Sequence, residues 1–423
     1  MKKIVAIMWH GQYNLLKKIK EKFENRVDFK LYSSKLIDSG EQDVTEVIKE
    51  LKSADLGIYY ISATDFCFDE IEREMKDVPL QIVYLGSEGI LRIKDEKTLM
   101  LSEKCNRYIT YTGNENLENM INYLLSEALK EDVPYLEPIE LSWDGIYYPD
   151  SNLNVDDVEE FFKLKGKSEK GVVGLITSRS YVLNGNDLPE RQIIKEIEKL
   201  GFTVIPVYSY SIRNDEIGAK GLGYSVEKFF FDKKGNPVVD FVIKLSSFFF
   251  ENVGDKNGDE AFKLLKRLNC PIMKPVVSSY LTVEEWEESK QGLTADIPWS
   301  VALPEFEGLI EPIIIGTVKR EDGYEYRKPV QDRIEKLAKR IVKWISIKKK
   351  ANSDKKVVIV LNNSPCESAE ANVGAASNLD TMQSVVNIMN HLKENGYAVE
   401  DIPEDGFGRS DGKFWKTNSI ASL

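Results

Sequence analysis

Residues 355–399 read KKVVIVLNNSPCESAEANVGAASNLDTMQSVVNIMNHLKENGYAV. The run at Val357–Leu361 is continuous, apolar and mostly β-branched, the pattern of a strand buried on both faces of a sheet. Asp380 followed by Gln383 resembles a capping box, with Asp in place of the usual Ser or Thr. Behind it Met382, Val385, Val386, Met389 and Leu392 fall at i, i+3, i+4, i+7 and i+10, one helical stripe. Gly396 stands where a helix C′ residue belongs, and Tyr397–Val399 can open a further strand. The stretch reads as one βαβ unit, which calls for an α/β architecture with parallel sheets. About a dozen residues separate its strand from its helix, where roughly two to six are usual. Open parallel sheets bind ligands at the carboxyl ends of their strands. The loop Ser364–Ser377 is therefore either a binding loop or a decorated connection.

The same alternation runs through the rest of the chain. In residues 1–135, strands are expected at Lys3–Met8, Asp28–Tyr32, Leu56–Ile61, Leu80–Tyr84 and Tyr108–Tyr111. Helices fit around Asn14–Phe23, Asp43–Ser53, Asp65–Lys76 and Asn116–Leu129. This spacing calls for a doubly wound parallel sheet of the Rossmann-like or flavodoxin-like kind. Residues 136–170 form a connector rich in proline and aromatic residues, ending in a short amphipathic helix at Val155–Lys165. Residues 171–350 read as a second α/β domain. Its strand VVGLIT leads through SRSYVLNGN to a helix over Pro189–Leu200 and the strand FTVIPVYS. Further strands follow at Val239–Lys244 and after Pro271, with a capped helix at Thr282–Lys290 and a charged helix at Ile334–Ile347. Residues 351–405 begin the further βαβ unit, and 406–423 form a tail.

Composition narrows the function classes. A formal net charge of −12 leaves no basic surplus to neutralise phosphates, which argues against a nucleic-acid partner. No apolar run reaches the roughly 18 residues a membrane span needs. Met1–Ile4 leads straight into a strand rather than a signal segment, so a cytoplasmic protein is expected. Cys67, Cys105, Cys270 and Cys366 lie far apart without a CxxC pair, which speaks against a disulfide framework or a structural zinc site. No GxxxxGK[ST] stretch occurs, so a P-loop nucleotide site is not expected. Of the two histidines, His391 falls on the polar face of its helix, and His10 ends the first strand beside Gly11.

The candidate site residues come from strand-end loops. Arg179, Asn184 and Asn186 follow the strand VVGLIT. A guanidinium pairs bidentately with a carboxylate or phosphate; alternatively, Arg179 pins its own loop through backbone carbonyls. Ser278 and Ser279 bring hydroxyls to another strand end, and Asn372 and Gly374 lie in the long loop. Glu305 sits among apolar neighbours, where an ionised carboxylate needs a partner, whereas Glu307 reads as a solvated surface group.

Eight segments taken together resemble the large subunit of the ATP-dependent cobalt and magnesium chelatases, the CobN and magnesium-chelatase H-subunit family. They are GIYYPD (145–150), VVGLITSRSYVLNGN (172–186), FTVIPVYS (202–209), PIMKPVVSS (271–279), the W..S..GL pattern of 286–293, VALPEFEGLIEPI (301–313), RIEKLAKRIVKW (333–344) and NVGAASNLDTMQSVVNIMNHLKENGYAV (372–399). The family favours His where this chain has Tyr148, and paired prolines near Ser364-Pro365. The tail after Asp405 does not align with it.

The resemblance implies an N-terminal fragment of a tetrapyrrole-binding subunit. Such a subunit inserts Co2+ or Mg2+ as substrate metal, while AAA+ partner subunits hydrolyse ATP. Under it, Arg179 is the candidate for a carboxylate arm of the ring, with Asn184 and Asn186 beside it. Glu305 is the candidate for proton or metal handling, and the Asn372–Gly374 loop for backbone amides. The expected activity is cobaltochelatase, with a Mg-chelatase H-type subunit, a non-catalytic tetrapyrrole-binding module and an inactive remnant as alternatives. A separate chain carrying the C-terminal part is a further expected partner.

Overall fold

The structure is a computed structural model that describes residues 1–63, 65–149, 154–246, 259–321, 324–361 and 379–402. It divides into two compact units, Met1–Arg340 and Ile341–Leu423. The fold is mixed α/β, with several sheets of different strand order.

In the larger unit, strands β1 (Lys2–Met8), β2 (Val27–Ser33), β3 (Leu56–Tyr60) and β4 (Gln81–Leu85) form a parallel sheet in the order β2-β1-β3-β4. Alternation in β1 explains the all-apolar run Ile4–Met8. Ile4, Ala6 and Met8 join one core cluster with the helices His10–Lys20, Glu96–Tyr111 and Asn114–Glu127. Val5 and Ile7 join another with Val44–Lys52 and Cys67–Met75. A strand covered on both faces has no position for a polar residue. The fifth strand expected at Tyr108–Tyr111 is absent, because those residues complete the helix Glu96–Tyr111. Asp95 caps that helix by accepting from the Thr98 amide at 2.9 Å. Leu101, Cys105, Tyr108 and Ile109 then recur at helical spacing and are buried, so tertiary packing overrode the β propensity of the Tyr-Ile-Thr-Tyr run.

A second sheet has six strands, numbered onward as β5 (Asp144–Tyr147), β6 (Asn154–Val155), β7 (Val172–Ser178), β8 (Thr203–Ser209), β9 (Phe241–Lys244) and β10 (Ile272–Met273). Their order is β10-β9-β7-β8-β5-β6. The four from β10 to β8 are parallel, while β5 and β6 add antiparallel to that edge. Central β7 carries Gly174 where the helix Leu222–Phe230 packs: a Cβ there would lie 2.6 Å from Phe230 Cζ. A third sheet joins β11 (Val276–Val277), β12 (Ile314–Glu321) and β13 (Tyr324–Pro329), with β11 parallel and β13 antiparallel to β12.

In the smaller unit, the helix Thr381–Glu394 begins at Asp380, whose Oδ1 accepts from the Gln383 amide at 2.9 Å. Gln383 does not return the bond; its side chain donates to Asn387 Oδ1 at 3.0 Å, so the cap is half a box. Gly396 takes φ +80° just past the helix end, as its position required. The flanking strands do not form. Val357, Val358, Ile359 and Val360 belong to no sheet and are 53%, 83%, 40% and 83% exposed, and Tyr397–Val399 is also outside any sheet. A strand is held by its ladder partners, and among the described residues none pairs with this run. Among those residues, too, no helix is long and apolar enough to cross a membrane.

Candidate functional site

The carboxyl ends of β7 and β9, the β10–β11 link and β13 converge on a buried cluster of charged side chains. Glu190 stands in the first turn of the helix Leu188–Lys199, and none of its surface is exposed. Its carboxylate accepts from Arg327 Nη1 at 2.7 and 2.8 Å and from Thr177 Oγ1 at 2.6 Å. Arg327 comes from β13, where Glu325 and Arg327 share the buried side of the alternation. Its guanidinium lies 3.8 Å from the Tyr181 ring centroid, and Nη1 also donates to the Asn186 carbonyl. Burial works against the Arg327 charge, but Glu190 together with Tyr181 and Tyr147 holds the pKa above its ordinary value. On the other side, Lys244 ends β9, 1% exposed, and pairs with Glu307 at 2.8 Å. Ser278, past β11, donates to Asp296 Oδ2 at 2.5 Å and accepts from the amides of Tyr280 and Leu281.

Lys274 occupies the link between β10 and β11 and is 3% exposed. Its Nζ donates to the Leu245 carbonyl at 3.1 Å. Burial first, then the charges of Lys244 and Arg327, pull its pKa down to about 7, while Glu190 and Asp296 act the other way. An amine poised near neutrality can release or take a proton at physiological pH. Tyr147 on β5 is also drawn into this field; burial, then Glu190 and Asp187, push its phenol well above the usual range. Among the described residues, no group of three His, Cys, Asp or Glu side chains is placed to hold a metal ion.

A family profile described as CobN/Magnesium Chelatase matches residues 106–408, more than half of the chain. The chain belongs to the CobN/magnesium chelatase family. It is 37% identical over 414 residues to an uncharacterized protein of Methanocaldococcus jannaschii, covering 96% of this chain and 32% of that one. To the magnesium-chelatase subunit ChlH of Oryza sativa subsp. indica it is 27% identical, over 79% of this chain and 24% of the relative. To the aerobic cobaltochelatase subunit CobN of Sinorhizobium sp. it is 24% identical, over 71% and 23%. The chain thus spans about a third or less of these relatives. The catalytic subunit of cobaltochelatase from Mycobacterium tuberculosis shares the fold at TM-score 0.57 and 17% identity, covering 95% of this chain and 32% of that one.

Within this chain of the CobN/magnesium chelatase family, the residues expected to form the site are only partly brought together. Arg179 is 2% exposed and spends its guanidinium on four backbone carbonyls. Nε donates to Ser142 at 2.8 Å, Nη1 to Thr110 at 3.2 Å, and Nη2 to Tyr111 and Leu141 at 2.9 and 3.1 Å. It also lies 4.7 Å from the Trp143 ring, and burial lowers its pKa to about 10. This is the pinning alternative, with carbonyls drawn from segments before β7 rather than from its own loop. A carboxylate arm would have to displace them.

Asn184 accepts from Thr112 Oγ1 at 2.9 Å, and Asn186 Oδ1 from the Arg327 amide at 2.9 Å. Ser278 belongs to the cluster, whereas Ser279 is exposed. The expectation for the two glutamates is reversed: Glu305 is exposed, and Glu307 is the carboxylate with a buried partner. The short helix Leu303–Phe306 turns Glu305 outward, and the next residues carry Glu307 onto Lys244. Asn372, Gly374 and the rest of the Ser364–Ser377 loop lie outside the described residues. His10 is the first residue of the helix His10–Lys20 rather than part of a loop. Tyr148, where the family favours His, donates to Glu198 Oε2 at 2.5 Å and carries Lys165 over its ring at 3.4 Å.

Glu190, Lys244, Lys274, Asp296 and Arg327 were not among the residues expected from sequence. Two left a readable signal. Glu190 precedes Ile193, Ile194 and Ile197 by three, four and seven positions and so lies on the buried stripe of its own helix. Lys274 interrupts the apolar run PIMKPVV, where a lone cation has no solvated face to occupy.

Proposed function

We propose that the chain forms the N-terminal part of the tetrapyrrole-binding large subunit of an ATP-dependent metal chelatase, acting with AAA+ partner subunits in the cytoplasm. The observation that carries this reading is the family match over residues 106–408. In this reading Co2+ is the substrate metal and a corrin precursor the ring. Mg2+ and protoporphyrin are the alternative, which the likeness to ChlH over 79% of the chain supports.

The domain reading stays as the sequence suggested: 1–135, a connector at 136–170, 171–350, and the beginning of a further unit at 351–405. The parallel order β2-β1-β3-β4 supports a flavodoxin-like first domain. The exposed run Val357–Val360 supports a partner polypeptide that supplies the missing sheet to the third. For the ring itself, the proposed contacts are the strand-end loops bearing Asn184, Asn186, Ser278, Ser279 and the Asn372–Gly374 segment. Glu305, exposed to solvent, remains the proposed carboxylate for proton handling.

A fluorescence-quenching titration tests the reading, with a metal-free corrin precursor set against protoporphyrin. Binding of the corrin at micromolar concentration supports the cobalt assignment, and preference for protoporphyrin moves it to magnesium. If neither binds, the tetrapyrrole site is not in this chain.

A further inference from the structure

Lys274 lies on the short link by which the chain passes from the second sheet (β10) to the third (β11). Its Nζ reaches sideways to the Leu245 carbonyl, just past the end of β9. The side chain therefore ties the link between two sheets to the end of a third strand, with almost no solvent access. The charges that act on it are those of Lys244 on β9, Arg327 on β13, Glu190 on the helix Leu188–Lys199 and Asp296 in the segment before Pro298.

The two carboxylates are engaged elsewhere, Glu190 by Arg327 and Thr177, Asp296 by Ser278. Among the described residues, an ammonium at Lys274 thus has one carbonyl for its three N–H groups and no carboxylate free to pair with it. A neutral amine keeps the bond to Leu245 and avoids the cost of a buried, unpaired charge.

We propose that Lys274 is a proton-sensitive latch between the six-stranded and three-stranded sheets, closed when its amine is neutral and loosened when it is protonated. The sign follows from linkage. Released to solvent, the amine holds its proton up to its ordinary pKa of about 10.4; buried, it gives it up from about 7. Between these values the opened junction binds more protons than the closed one, so closure strengthens as pH rises and is weakest below pH 7.

Hydrogen exchange of the full chain, expressed as protection factors to remove the intrinsic pH dependence of exchange, reads the latch directly. Amides of residues 272–281 should gain protection by up to about tenfold per pH unit between roughly pH 7.5 and 9. In Lys274→Met that gain should vanish while the dependence elsewhere is unchanged. Equal pH dependence in the two proteins overturns the proposal. Should Lys274→Met not fold, 13Cε-lysine NMR on the unmutated protein decides: the assigned Lys274 resonance titrating near neutrality supports the latch, and its titrating above about 9.5 refutes it. The proposal does not rest on tetrapyrrole binding, and either can fail without the other.

Discussion

Arg327 Nη1 bridges both carboxylate oxygens of Glu190, at 2.7 and 2.8 Å, across 137 residues of sequence. With Glu190 fully buried and Arg327 7% exposed, the pair joins the helix after β7 to the third sheet inside the larger unit. Removing one partner leaves the other as an uncompensated buried charge. Glu190→Gln or Arg327→Met should each cost about 3–5 kcal/mol, measured by urea unfolding. Combining Glu190→Gln with Arg327→Met should cost less than the sum of the two, and simple additivity would mean the pair is not coupled.

Arg179 makes a separable prediction. Its four carbonyl acceptors lie 37 to 69 positions earlier in the chain. Arg179→Ala should lower stability by roughly 1–3 kcal/mol, as buried carbonyls lose their donor. Arg179→Lys should not restore it, because an ammonium lacks the planar fork. At temperatures where the variant is folded, tetrapyrrole affinity should stay within about twofold; a loss on the scale of a charged hydrogen bond would support the carboxylate clamp.

Gly174 is required by contact rather than by backbone conformation. Adding a methyl group drives it into the tip of the Phe230 ring, with Cζ, Cε1 and Cε2 at 2.6, 2.8 and 2.9 Å. Gly174→Ala should therefore destabilise by about 1–3 kcal/mol through overpacking. Combining it with Phe230→Leu should recover part of that loss in thermal unfolding.

In the smaller unit, Asp380→Ala removes the acceptor of the Gln383 amide. The expected cost is about 1 kcal/mol, seen as faster exchange in the first turn of the helix Thr381–Glu394. Gln383→Ala should cost little, since Gln383 does not bond back to the cap.

Sequence was enough wherever a signal is local. The positions of β1 to β4, the helix Leu188–Lys199, the capped start of the helix after Thr282, the Asp380 cap and the Gly396 stop all depend on residues within a few positions of one another. Family membership was also legible, because the eight segments keep their order along the chain. Tertiary structure decided the rest. Whether Tyr108–Tyr111 is helix or strand depends on which core it packs into. Whether Val357–Leu361 is a strand depends on a neighbour with free backbone groups. Which cation meets which carboxylate is decided by long-range contacts: Lys244 is 63 positions from Glu307, and Arg327 is 137 from Glu190. A buried charge must find its counter-charge wherever the fold brings one. From sequence the charged residues could be named, but only the packing of three sheets assigned their partners.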